Sequence, residues 1–116
     1  MNFISMGYSS HVSKKGNQQI QITTIDNYVL ENNLTVGLIK LDIEGYELSA
    51  LIGAKNTIRK FTPVILISIY HNGKEFFETI DYIKKINPNY TFIIRHLNPL
   101  TEFIETCLIG WQKEKI

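Results

Sequence analysis

The sequence lacks several features that would point to particular classes of protein. Its 116 residues include one cysteine, Cys107, so no internal disulfide can form, and no Cys/His spacing fits a zinc site. The longest apolar run, Val64 to Ile69, is too short to span a bilayer, and no N-terminal segment predicts secretion. The formal net charge is +1 with interleaved signs, unlike a nucleic-acid surface. These absences favour a single cytoplasmic domain that binds neither membrane nor nucleic acid.

Three common catalytic or nucleotide-binding motifs are also missing. The chain contains neither Gly-x-Gly-x-x-Gly nor Gly-x-x-x-x-Gly-Lys-Ser/Thr. No serine has the sequence context of a catalytic nucleophile. Any cofactor or substrate must therefore be held by another arrangement.

What is present is an alternation of strand and helix patterns. Residues 1–19 are polar and mixed and predict a loop or arm that precedes a domain over residues 20–116. Alternating strands and helices predict an α/β fold with a mostly parallel sheet and flanking helices. The short turn Asn98 to Thr101 makes the last strand antiparallel. The predicted strands are Gln19–Thr23, Gly37–Ile43, Val64–Ile69, Tyr90–Arg95 and Phe103–Ile109, and the predicted helices are Ile25–Glu31, Tyr46–Lys60 and Glu75–Ile86.

Some local details follow from this pattern. Thr24 can cap the first helix, and Glu47 can complement the dipole of the second. Gly53 is costly inside a helix, so we expect it to pack closely on the sheet. The apolar run Val64 to Ile69 predicts a strand buried on both faces. Phe76 and Phe77 are predicted to belong to the core.

Asp42 and Glu44 are the strongest candidates for chemistry, because they follow a strand at the sheet edge where α/β proteins bind ligands. If both residues stay extended, their side chains point the same way. Such a pair could bind a metal, accept hydrogen bonds from a cofactor, or act as a general base. The alternative is purely structural: carboxylates at a helix start are stabilised by the dipole.

Other candidate residues follow the later strands. His71 comes just after Val64 to Ile69 and can take up a proton near neutral pH, and His96 follows the next strand. Tyr70 could border a pocket or simply pack at the sheet end. Alternatively, each of the two histidines is a structural loop residue that forms a hydrogen bond with the backbone. Cys107 is expected to be a small apolar filler within a strand.

Several segments, in order over roughly residues 20–111, resemble the FkbM family of methyltransferases. The most specific is Leu38 to Glu47, which contains Asp42-Ile43-Glu44-Gly45-Tyr46-Glu47. The other matching segments are Thr23–Tyr28, Gly53–Lys55, Pro63–His71, Tyr90–His96 and Glu105–Ile109.

The resemblance implies a Rossmann-like fold and S-adenosylmethionine-dependent methylation, usually of a hydroxyl on a sugar or other small metabolite. It implies that Asp42, Ile43 and Glu44 lie beside the methionine end of the cofactor. It implies that His71, with Tyr70 and His96, faces the substrate. Asp42, Glu44 and His71 would be the catalytic set, with Asp42 or His71 helping to remove the hydroxyl proton.

The family's glycine-rich cofactor turn is not visible in residues 1–19, so we expect the chain to be the C-terminal half to two-thirds of such an enzyme. Gly37 to Ile43 would then lie at an open sheet edge. Two other functions therefore stay open. The chain could be a non-catalytic subunit that binds a partner or a second copy through that edge, or a small metal-dependent hydrolase that uses Asp42, Glu44 and His71.

Overall fold

The structure, a computed structural model, describes residues 22–43, 45–68, 73–96 and 106–113. It contains four helices and four strands within those ranges. The helices are α1 (Ile25–Glu31), α2 (Glu47–Ile52), α3 (Lys55–Phe61) and α4 (Gly73–Ile86), and the strands are β1 (Leu38–Leu41), β2 (Val64–Ser68), β3 (Tyr90–His96) and β4 (Thr106–Gln112).

The four strands form one sheet in the order β1-β2-β4-β3. β1 and β2 are parallel, whereas β4 runs antiparallel to both β2 and β3. β1, β2 and β3 therefore point the same way, and their carboxyl ends share one edge of the sheet. This confirms the prediction of an α/β fold with a mostly parallel sheet and an antiparallel last strand.

The core lies between one face of the sheet and the helices. Both parallel crossovers, β1 to β2 and β2 to β3, step in the same direction, so right-handed connections place α2, α3 and α4 on the same face. Inward-facing Ile65, Ile67 and Leu108 are each 1% exposed, and Leu51 and Ile58 are fully buried against them. Tyr90 is 3% exposed and its hydroxyl donates a hydrogen bond to the Pro63 carbonyl oxygen at 2.5 Å. Burial raises the pKa of Tyr90 to about 12.

The opposite face of the sheet is less well covered. Val64 is 39% exposed and Leu66 is half-buried, so the prediction that β2 is buried on both faces is wrong. Phe77 is 65% exposed and does not belong to the core, whereas Phe76 is partly buried and packs against the core. The second face of β2 is exposed because the described helices cover the opposite face of the sheet. Phe77 is exposed because it lies on the outer side of α4.

Two strand predictions also need correction. Ile22 and Thr23 are not in a strand, and Ile22 is 80% exposed; residues 1–21 lie outside the described part of the chain. β4 extends to Gln112, three residues beyond the predicted end. Its pairing with β3 continues to Tyr90 opposite Gln112, and the Asn87 side chain donates a hydrogen bond to Gln112 at 2.6 Å.

The predicted single helix Tyr46–Lys60 is two helices, separated at Gly53 and Ala54. In a continuous helix the Thr57 N–H would bond to the Gly53 carbonyl. Here Thr57 N–H donates to Asp26 Oδ1 at 2.8 Å, and the Gly53 carbonyl accepts from the Asp26 N–H at 2.8 Å. Asp26 also accepts from the Asn56 N–H and from the Thr57 hydroxyl. One aspartate of α1 therefore replaces the helical bonds lost at the break.

Gly53 is needed at this break for a different reason from the expected one. A Cβ there would lie 3.1 Å from the Thr24 Cβ, which is tighter than ordinary contact. Gly53 therefore packs on the start of α1 and not on the sheet. Thr24 caps α1 as predicted, because its hydroxyl accepts from the Asn27 N–H at 3.1 Å.

Replacing Asp26 tests the importance of this junction. We expect Asp26→Asn to lower the free energy of unfolding by about 1–2 kcal/mol, because the amide keeps one acceptor oxygen and turns an N–H towards another donor. The measurement is the urea midpoint with an unchanged m-value. Asp81→Asn, an equal loss of charge at an exposed position of α4, is the control and should leave the midpoint unchanged. Equal midpoints for the two variants would contradict the assigned role.

Candidate functional site

The candidate site is the sheet edge at which β1, β2 and β3 end and β4 begins. Ser68 pairs with Cys107, and Cys107 pairs with Arg95, so these residues form one row across three strands. Leu41 pairs with Ile67, which places Asp42 at the level of Ser68 at the end of β1. The core residues Ile67 and Leu108 belong to the preceding row, so alternation puts the Ser68 row on the face away from the helices.

The structure places some of the predicted site residues. Asp42 is exposed at this edge and Ile43 is half-buried beside it. His96 is the last residue of β3 and pairs with Thr106, so its backbone lies at the same edge. Glu44, Tyr70 and His71 lie outside the described residues, so their convergence with Asp42 stays a prediction.

Cys107 is the second residue of β4 and is buried. Burial raises the pKa of the Cys107 thiol, and the Asp42 carboxylate adds to this, while a backbone hydrogen bond from Ile67 and the Lys40 ammonium oppose it. A raised pKa keeps the thiol protonated, which is unsuited to nucleophilic chemistry. Cys107 is therefore a small buried side chain within β4.

Sequence reasoning missed the residue that organises the loop after β1. Glu47 was expected only to complement the dipole of α2, but it is 3% exposed and turns back into the loop. Its Oε1 accepts from the Ile43 N–H at 3.1 Å, and its Oε2 accepts from the Gly45 N–H at 2.9 Å. No sequence signal distinguishes this role, because a glutamate that only complements the helix dipole would occupy the same position.

No three His, Cys, Asp or Glu side chains within the described ranges are placed to share a metal ion. Two members of the hydrolase hypothesis, Glu44 and His71, lie outside those ranges. No helix in the described part of the chain is long and apolar enough to cross a membrane.

Gly45 provides a test of the loop geometry. Its φ of +97° is strained for any residue with a Cβ, although a Cβ there would meet nothing within 4 Å. We expect Gly45→Ala to lower the free energy of unfolding by about 1–2 kcal/mol, because an alanine must adopt this backbone or distort the loop. Gly37→Ala is a matched control, because its Cβ also meets nothing within 4 Å and Gly37 is not at positive φ. Equal thermal midpoints for both variants would rule out the strained turn.

Comparisons with known proteins point to one family. The family model described as "Methyltransferase FkbM domain" matches residues 5–102 of the chain. No curated protein matches it. A crystal structure of the methyltransferase FkbM from Methylobacillus flagellatus KT is similar, with 37% sequence identity and a TM-score of 0.66.

The match to that structure covers 75% of this chain and 22% of the other, so this chain corresponds to about a fifth of that protein's length. The family model extends over most of the chain and includes the loop that carries Asp42 and Glu47. The chain belongs to the FkbM methyltransferase family.

Proposed function

We propose that this chain takes part in S-adenosylmethionine-dependent methylation of a hydroxyl oxygen on a sugar or other small metabolite. The observation that carries the proposal is the family membership, combined with an exposed carboxylate, Asp42, at the carboxyl edge of a parallel sheet. A methyltransferase needs a cofactor site and an acceptor site that meet, and this edge is where α/β folds bring such groups together.

The residues at the edge fit the methionine end of the cofactor. That end carries an ammonium group, for which an exposed carboxylate is a suitable charge-assisted acceptor. Asp42 provides such a carboxylate, and the half-buried Ile43 provides an adjacent apolar surface. Asp42, Ile43 and Glu44 are therefore the residues we propose to hold the methionine end.

When bound, S-adenosylmethionine would supply an electrophilic methyl group. The chain's part in the chemistry is to orient the acceptor hydroxyl and to take its proton as the oxygen forms its new bond to carbon. A carboxylate or a neutral imidazole can accept that proton. We assign this role to Asp42 or His71, with Glu44 in the catalytic set and Tyr70 and His96 beside the acceptor.

Cofactor binding tests the proposal directly. We expect isothermal titration of the full chain with S-adenosylmethionine to show weak binding, because no glycine-rich cofactor turn is visible in residues 1–19. Asp42→Asn should raise the Kd at least about tenfold, because a hydrogen bond to a charged group is lost. The far-UV circular dichroism spectrum should be unchanged, because Asp42 is exposed and lies outside the core. Asp81→Asn should bind like the wild type. A wild-type chain that binds no cofactor, or an Asp42→Asn variant with unchanged Kd, would contradict the proposal.

A second candidate function rests on a separate observation. In the described sheet β1 is an outer strand that pairs only with β2, and Leu38 on it is 54% exposed. Unpaired strand edges bind other chains by adding a strand. The chain could therefore be a non-catalytic subunit that binds a second copy through β1.

The second candidate predicts a dimer in sedimentation velocity and no cofactor binding. Leu38→Lys should shift the dimer to monomer, because a charged side chain on an edge strand disfavours pairing. Leu30→Lys is the control, since Leu30 is 81% exposed on α1, a helix that packs on α3 and is not part of the sheet. A wild-type chain that is monomeric at all concentrations, or an equal effect of both lysines, would exclude this candidate.

A further inference from the structure

We infer that Glu47 is a positioning residue of the candidate site: its buried carboxylate holds the backbone after β1 so that Asp42 is presented at the sheet edge. The inference rests on the proposed function insofar as the ligand presented to Asp42 is S-adenosylmethionine. Glu47 itself touches neither ligand in this scheme and acts through Ile43 and Gly45.

The burial of Glu47 is the first argument. A carboxylate that is 3% exposed loses its hydration, which is unfavourable unless hydrogen bonds replace the water. Hydrogen bonds replace the lost water, because each of the two carboxylate oxygens of Glu47 accepts one backbone N–H. A side chain that only interacted with the helix dipole could do so from the surface, so burial indicates a more specific requirement.

The choice of donors is the second argument. The N–H groups belong to Ile43, the residue after Asp42, and to Gly45, whose φ is +97°. A third bond, from the Tyr46 N–H to the Ile43 carbonyl at 3.4 Å, closes the turn. Glu47 therefore fixes the chain direction immediately after Asp42, where a small displacement would change the position of that carboxylate.

The missing cap of α2 is the third argument. Tyr46 occupies the N-cap position of α2 and makes no side-chain hydrogen bond to the helix. Glu47, the first residue of α2, instead accepts hydrogen bonds at two points of the preceding turn, Ile43 and Gly45. Removing its carboxylate is thus expected to release the turn while leaving the sheet and the core in place.

The experiment compares two carboxylates that perform the same chemical task at different places. Glu47→Gln and Asp26→Asn each convert a carboxylate that accepts two backbone N–H groups into an amide. Both variants should lower the urea midpoint. Only Glu47→Gln should also weaken S-adenosylmethionine binding, by about tenfold to a hundredfold, because misplacement of a binding group by about 1 Å has effects of that size. A Kd for Glu47→Gln equal to the wild-type value, or an equal loss in Asp26→Asn, would overturn the inference.

A third variant separates position from charge. Glu47→Asp keeps the carboxylate but shortens it by one methylene, so it cannot reach both N–H groups. Weakened binding is expected here too, and wild-type affinity would overturn positioning in favour of a simple charge effect.

Amide hydrogen exchange makes the test independent of cofactor binding. Exchange at Ile43 and Gly45 should accelerate in Glu47→Gln and stay unchanged in Asp26→Asn. Unchanged exchange at both amides would overturn the role of Glu47 even if the proposed function holds. Conversely, if the wild-type chain binds no cofactor but the two variants show this exchange pattern, the proposed function is rejected and the role of Glu47 in restraining the loop is kept.

Discussion

The parallel pairing of β1 with β2 is the constraint on which the candidate site depends. Ile39 lies opposite Ile65 and Leu41 opposite Ile67, so the buried face of one strand continues into that of the other. A shift of this register by one residue would turn the apolar side chains to the wrong face. The same register sets the height at which Asp42 leaves β1 relative to the end of β2. Packing in the core therefore determines where the carboxylate of the site is presented.

The general architecture could be predicted because its signals are local and strong. The β-branched run at β2 and the periodic apolar residues of α4 each identify one element, and the alternation of elements identifies the fold class. Asp42 could also be predicted as a candidate, since a carboxylate directly after a buried strand lies at the ligand-binding edge of such a sheet. In each of these cases the neighbouring residues in the sequence are sufficient for the prediction.

Two of the features that could not be predicted, the helix break and the end of β4, depend on contacts between distant parts of the chain. Gly53 is unfavourable inside a helix, but its neighbours do not show that the helix breaks there, because the replacement acceptor, Asp26, lies 31 residues from Thr57. The end of β4 at Gln112 likewise depends on its partner Tyr90. Glu47 was identified as helical but its inward orientation was not, because a dipole interaction and a backbone restraint have the same sequence pattern. Contacts distant in sequence account for the helix break and for the end of β4, whereas the hydrogen bonds that Glu47 accepts are local.

The two faces of the sheet differ in their side chains at the carboxyl edge, where the candidate site lies. On the helical face the apolar side chains continue to the carboxyl edge, where Leu41, Ile67 and Leu108 are all buried. On the other face the apolar residues Leu66, Ile109 and Trp111 are half-buried. The row at the carboxyl edge of that face has the polar residues Ser68 and Arg95 on either side of the buried Cys107. The change in polarity occurs only on the face away from the helices, beside Asp42. A ligand that meets Asp42 would therefore contact polar groups at the edge and an apolar surface behind them, which is the combination typical of small-molecule sites. The proposed methylation uses this face of the sheet, because the described helices occupy the other, whereas the second candidate function uses the outer strand β1.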